Sequence, residues 1–199
     1  MKFSPLSERL RGPIAVALQQ QLHVRNIYAL PRLQKITVNV GINKSKMDSK
    51  EMIEYIAESL KMITGQKPVF CNSRKSISNF KIREGEIVGA MVTLRGKRMH
   101  AFLDRLLHVA LPRVRDFRGL PTKLDGHGNY SIGLKEHTVF PEVTPPAEAA
   151  KIFGMQVTLT TTAEDDARSR ALLEEIGLPF RKEKPEARNP KPETNSKSE

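Results

Sequence analysis

Arg74, Lys75, Lys81 and Arg83 crowd into the span Ser73–Gly85, interleaved with Ser76, Ser78, Asn79 and a single aromatic, Phe80, and the span has no regular hydrophobic period. Cations at this density, set among small polar donors, suit the oxygens of a phosphate backbone. A second run, Pro112–Gly119, spaces Arg113, Arg115 and Arg118 around Phe117, just past an apolar-periodic segment. Both runs read as nucleic-acid contacts. The alternative for the first is a solvated hairpin tip. Loops longer than about 12 residues in compact domains are usually functional or disordered, and Ile77 and Phe80 would sit oddly in a purely solvated tip. In the second run, Val114 and Phe117 are expected to pack on the domain edge while the three arginines point outward.

The chemistry of an enzyme is missing. Gly126-His127-Gly128 has neither the strand-then-helix context of a dinucleotide motif nor the Gly-Lys-Thr ending of a P-loop, and reads as a turn. His23, His100, His108, His127 and His137 never fall at metal-ligand spacing with a glutamate or a second histidine, so each reads as a surface or RNA-adjacent residue. The acids Glu164–Asp166 stand where a helix N-terminus favours negative charge. No nucleophile has a base beside it, so no cofactor, no metal and no catalytic residue is expected. An RNA-modifying enzyme would share the basic field but needs one of these features.

That field is uneven. The chain carries 33 Lys and Arg against 22 Asp and Glu, a formal charge of +11; residues 67–118 hold 12 cations and 4 acids, whereas residues 119–180 hold 5 cations and 9 acids. A concentrated cationic region favours a polyanionic partner. An anionic membrane is the rival, but it calls for a basic amphipathic helix with exposed aromatics, and the basic segments here are loops. Cys71 is the only cysteine, which excludes an intrachain disulfide and fits a cytosolic chain. The N-terminus has no apolar signal-peptide region, and no apolar run approaches the roughly 20 residues of a membrane span.

The elements that must hold these segments follow from hydrophobic period. Ser4 to about Leu22 has helical spacing through Leu6, Leu10, Ile14, Ala17 and Leu18, with Gly12-Pro13 expected to bend or split it. Arg32–Ile42 alternates, with Ile36, Val38, Val40 and Ile42 on one face and Lys35, Thr37 and Asn39 on the other. Asp48–Ile63 is a helix, capped through Asp48 and Glu51 and stopped at Gly65. A short strand at Pro68–Cys71 precedes the basic loop. Ile87–Arg95 alternates again, Lys97–Leu111 is a helix ended by Pro112, Asn129–His137 and Met155–Thr162 are strands, and Glu164–Ile176 is a helix closed by Gly177. The sum is a two-layer α+β domain over residues 1–180: a mostly antiparallel sheet with helices on one face and an open polar face of Thr, Asn, Lys, Gln and Arg for RNA on the other. A merely solvated sheet face is the alternative. Residues 181–199 have no apolar residue beyond one alanine and read as a disordered charged tail.

The blocks Pro31-Arg-Leu-Gln-Lys-Ile, Ile63-Thr-Gly-Gln-Lys-Pro, Lys75-Ser-Ile-Ser-Asn-Phe-Lys-Ile-Arg-Glu-Gly, Val92-Thr-Leu-Arg-Gly, Ala110-Leu-Pro-Arg-Val-Arg-Asp-Phe-Arg-Gly, Gly128-Asn-Tyr and Phe140-Pro-Glu closely resemble, in order and spacing, the bacterial form of the fifth large-subunit ribosomal protein. The resemblance runs from about residue 4 to Lys182. It implies a non-catalytic protein of the cytoplasmic ribosome that attaches 5S ribosomal RNA to the large subunit in the central protuberance. Further partners implied are the large ribosomal RNA, the peptidyl-site transfer RNA, a small-subunit head protein across an intersubunit bridge and neighbouring large-subunit proteins, with neither membrane nor homo-oligomer expected. By position, the 5S-binding face implied is Lys35, Thr37, Asn39, Gln66, Thr93 and Arg95. The tRNA-facing loop is Arg74, Lys75, Ser76, Ser78, Asn79, Phe80, Lys81 and Arg83. Large-RNA or bridge contacts fall on Arg113, Arg115, Arg118, His127 and Asn129. His127 stands where the family commonly has arginine, the Val143-Thr-Pro-Pro-Ala-Glu segment departs from the family's more acidic version, and most members end near Phe180–Lys182.

Overall fold

The computed structural model describes residues 5–43, 49–143 and 151–181. Ser4, the cap at Asp48, the departing segment beyond Val143 and the tail from Lys182 lie outside the described residues. Five strands form one sheet in the order β2-β3-β1-β5-β4, every neighbouring pair antiparallel. They are β1 (Leu33–Gly41), β2 (Val69–Asn72), β3 (Ile87–Leu94), β4 (Tyr130–Leu134) and β5 (Met155–Thr161). Alternation decides which face is dry: Ile36, Val38, Val40, Ala90, Val92, Leu94, Ile132, Val157 and Leu159 are buried, whereas their sequence neighbours, apart from the buried Gly89, are partly or fully exposed.

The helices cover the dry face, as the two-layer reading anticipated. α1 (Leu6–Arg11) and α2 (Pro13–Leu22) are the expected N-terminal helix split at Gly12, because Pro13 cannot continue the hydrogen-bond ladder but suits the first turn of a new helix. α3 (Lys50–Thr64) buries Met52, Ile56, Leu60 and Ile63, each worth about 1.5–3 kcal/mol in removed apolar area. Its cap is Ser49, whose hydroxyl accepts from Met52 N–H at 3.2 Å, a bond worth about 1 kcal/mol. Gly65 ends it at φ 68°. α6 (Asp166–Ile176) begins two residues later than the sequence suggested and packs against α2.

Two expectations need correction. Pro112 does not end its helix. α4 (Gly96–Arg105) runs through a π-helical turn, Leu106–Ala110, into a last short helix α5 (Leu111–Arg113), with Leu111 N–H donating to Leu106 O five residues back. The widened turn falls where Pro112 lacks a donor and its ring would crowd the His108 carbonyl, so the chain stays helical one residue past the proline.

His137 is not a surface residue. It is fully buried, its ring stacked on Phe153 at 4.0 Å between centroids, and Tyr55 Oη lies 3.0 Å from Nε2. The strand expected to reach it stops at Leu134, and His137 opens a 3-10 turn instead. Phe153 N–H points at Nδ1 at 3.4 Å, which makes that nitrogen an acceptor and assigns the proton to Nε2. Burial holds its pKa below the ordinary histidine value, with the Glu136 carboxylate pulling the other way.

Candidate nucleic-acid interface

On the face away from the helices, strand register gathers polar side chains into rows. Thr93 lies opposite Thr37, Thr37 opposite Thr158, and Thr158 opposite Ser131, giving four hydroxyl residues across four strands. Ser131 Oγ and Thr158 Oγ1 are 3.0 Å apart. The next row runs Met91, Asn39, Gln156 and Gly133, and on the other side Lys35 lies opposite Thr160. Continuing the register past Thr37 and Thr93 brings exposed Arg95, the residue that precedes α4, beside Lys35. The outward strand positions carry two cations and no carboxylate. Antiparallel pairing thus converts four separate alternating segments into one surface of hydroxyl, amide and cationic donors.

Gln66 joins them from the turn after α3, its Nε2 donating to Thr93 O at 3.3 Å. Thr64 Oγ1 fixes that turn, donating to Leu60 O at 2.6 Å and accepting from Gln66 N–H at 3.3 Å. All six residues of the first group, Lys35, Thr37, Asn39, Gln66, Thr93 and Arg95, therefore lie on or beside one face. Gln156, Thr158 and Ser131 extend the same rows. Their signal was the alternation of β4 and β5, which placed them on the polar face without naming them as contacts.

The basic loop is a structured hairpin tip. β2 and β3 continue beyond their ladder through Ser73 N–H to Glu86 O at 2.8 Å, and Ile77 pairs with Ile82 in both directions at 2.9 and 3.1 Å. A 3-10 turn, Ser78–Phe80, closes it, and Lys81 takes a left-handed φ of 54°. Ser76 Oγ donates to Ile82 O, and the Glu86 carboxylate accepts from Arg83 N–H at 2.8 Å. These bonds leave Arg74, Lys75, Ser78, Asn79, Lys81 and Arg83 exposed, with Phe80 67% and Ile77 45% accessible. The tip leaves the sheet at the Gly41–Gly89 end, opposite Lys35 and Arg95.

The third group separates into two segments. Arg113, Arg115 and Arg118 are exposed, while Val114 and Phe117 are half-buried against the core. Past them, Leu120 is fastened to the segment that follows α6 by bonds with Pro179 and Arg181 at 2.8 Å each. His127 and Asn129 instead occupy a turn before β4, at the Lys35 end of the sheet. There Asp125 accepts from His127 N–H at 2.8 Å and from both the N–H and the side-chain amide of Asn129 at 2.9 and 2.7 Å. Slight burial raises the Asp125 pKa, but these bonds and the His127 ring outweigh it and hold it below the ordinary value. Asp166, at the start of α6, clamps the turn from outside, accepting from Gly126 and Gly128 N–H at 3.1 and 2.9 Å. The Asn129 side-chain amide donates inside the turn, whereas the His127 side chain is exposed.

Among the described residues no group of His, Cys, Asp or Glu is arranged to hold a metal ion, and no helix is long and apolar enough to cross a membrane.

Two family models match the chain: ribosomal protein L5 over residues 26–83 and the ribosomal L5P family C-terminus over residues 87–180. Among similar proteins, the large ribosomal subunit protein uL5 of Natranaerobius thermophilus is 47% identical over 176 residues, covering 88% of this chain and 97% of the relative. That of Thermotoga maritima is 47% identical over 182 residues, 91% of this chain and 98% of the relative. That of Dichelobacter nodosus is 50% identical over 165 residues, 82% and 91% respectively. With both halves of the sheet matched and near-complete relatives at this identity, the chain belongs to the ribosomal protein L5 family.

Proposed function

We propose that this protein, a structural and non-enzymatic constituent of the large ribosomal subunit, holds 5S ribosomal RNA on its open sheet face and attaches it to the subunit. The observation that carries the reading is the carboxylate-free face on which Lys35, Thr37, Asn39, Thr93 and Arg95 converge with Gln66. Threonine hydroxyls and carboxamides both donate and accept, so they can bond ribose 2′-hydroxyls and base edges, while the two cations neutralise phosphates. The hairpin tip reaches a second RNA, the transfer RNA in the peptidyl site. Arg113, Arg115 and Arg118, with His127 on the neighbouring turn, serve the large ribosomal RNA or a bridge to a small-subunit head protein.

Asn39→Ala combined with Thr93→Ala tests the face, since both side chains point away from the core. In filter binding with 5S ribosomal RNA against transfer RNA competitor across a salt series, the parent chain is expected to keep a 5S preference at high salt, and the double variant to lose it with an unchanged circular dichroism spectrum. An unaltered preference in that variant would overturn the assignment.

A further inference from the structure

At 84% exposure, Tyr28 is the most accessible of the large apolar side chains among the described residues. Polar bonds rather than packing fix it there. Asn26 Oδ1 accepts from Tyr28 N–H at 2.9 Å, Gln19 Nε2 donates to Arg25 O at 3.1 Å, and Arg32 Nη2 donates to Ile27 O at 3.4 Å. A turn held this way presents a ring without covering it. The Arg32 guanidinium stands 5.4 Å from the ring centroid, backing one face, and the high exposure leaves the opposite face open.

The turn is also joined to the polar face. Arg32 N–H donates to Thr162 Oγ1 at 2.9 Å, and Thr162 N–H donates to Arg32 O at 2.9 Å, which places Arg32 directly beyond the Lys35–Thr160 row. Arg32 and Lys35 are three residue steps apart along the chain, about 10 Å at roughly 3.3 Å per step. That is about three stacked nucleotides at some 3.4 Å each.

We propose that Tyr28, backed by Arg32, is a stacking platform for an unpaired base of the same RNA that lies on the sheet face, so that the protein grips a looped-out nucleotide as well as a backbone. The proposal rests on the sheet-face reading. Bases within a duplex have both faces covered by their neighbours, so a base that stacks on this exposed ring is an unpaired one, and stacking on a π-face accepts any of the four bases. The arginine behind the ring places positive charge beside the incoming strand without competing for the open face.

The chain has no tryptophan, so Tyr28→Trp introduces a single emitter at a site where the fold demands little. Titration with 5S ribosomal RNA is expected to quench its emission with the midpoint found by filter binding, and a fully paired RNA of equal length to leave it unquenched. Tyr28→Ala is expected to weaken 5S binding by about tenfold, and Tyr28→Phe by less than about twofold. Equal quenching by paired RNA, or full affinity in Tyr28→Ala, overturns the platform. The Asn39→Ala, Thr93→Ala double variant run in parallel separates the two readings. If it loses binding while Tyr28→Ala does not, the platform alone is wrong. If Tyr28→Ala is weakened while the double variant is not, the ring holds a base but the sheet face falls, and with it the proposal that one RNA is gripped by both. If neither changes, both fall.

Discussion

Single residues in this chain mostly act by fixing a turn that carries other groups. Gly128 is a case in point: φ is 73°, and a Cβ there would stand 2.6 Å from the Ala163 carbonyl oxygen. Gly128→Ala combines a left-handed non-glycine conformation with a backbone clash that cannot rotate away, at a cost of roughly 2–4 kcal/mol. Urea unfolding should show that loss, and a change below about 1 kcal/mol would mean that the turn before β4 gives way easily. His137 supplies a pH dependence. Its folded pKa lies below the unfolded value near 6.5, because burial disfavours the charged ring. The unfolded chain therefore binds the extra proton first, so the ring's contribution is full above about pH 6.5 and falls away as the pH drops through that value. The urea midpoint is expected to decline from about pH 7.5 to about pH 5.5, and to decline less in His137→Gln; an equal decline in both chains would show that another group is responsible. Sequence reasoning placed His137 at the surface because histidine spacing can exclude a metal site but cannot show the aromatic partners, Tyr55 and Phe153, that arrive from 82 and 16 residues away.

Elements were legible where period alone determines them. β1 and β5 alternate as read, and β3 does so from Ala90 to Leu94, with Gly89 buried before it; the split at Gly12-Pro13 and the stop at Gly65 follow from backbone chemistry that needs no tertiary partner. The π turn before Pro112 was not legible, since a proline after an apolar stripe ordinarily marks an end, and whether one widened turn rescues it depends on packing. The hairpin tip weighed as the alternative for Ser73–Gly85 is there, but aperiodicity did not disclose its order, which comes from cross-chain bonds such as Ile77 to Ile82. Those bonds make the tip separable. Removing Ser76–Lys81 shortens the hairpin beyond the β2–β3 ladder and leaves the sheet rows untouched. The expected result is full 5S binding by the isolated protein and weaker retention of transfer RNA on ribosomes assembled with it. Loss of 5S binding would mean that the two surfaces have been assigned to the wrong RNAs.

At the scale of the whole molecule, the proposed function has charge and shape divide the work of recognition. A net charge of +11, concentrated in residues 67–118, makes a field that attracts any polyanion and fades with ionic strength, so it sets how quickly and how non-specifically RNA is approached. Discrimination must come from groups whose bonds depend on geometry, and the hydroxyl and amide rows across β3, β1, β5 and β4 are of that kind. The two contributions can be taken apart by titration. Each phosphate neutralised lowers the slope of log K against log salt by about 0.7–0.9. Lys35→Gln with Arg95→Gln should therefore flatten the 5S slope by about 1.5 and preserve the preference for 5S over transfer RNA. Thr37→Val with Thr93→Val should do the reverse, leaving the slope and erasing the preference. A slope untouched by loss of both cations would show that the RNA does not cross that end of the sheet, and a preference that followed the charges rather than the hydroxyls would mean that this protein selects its RNA by the spacing of phosphates.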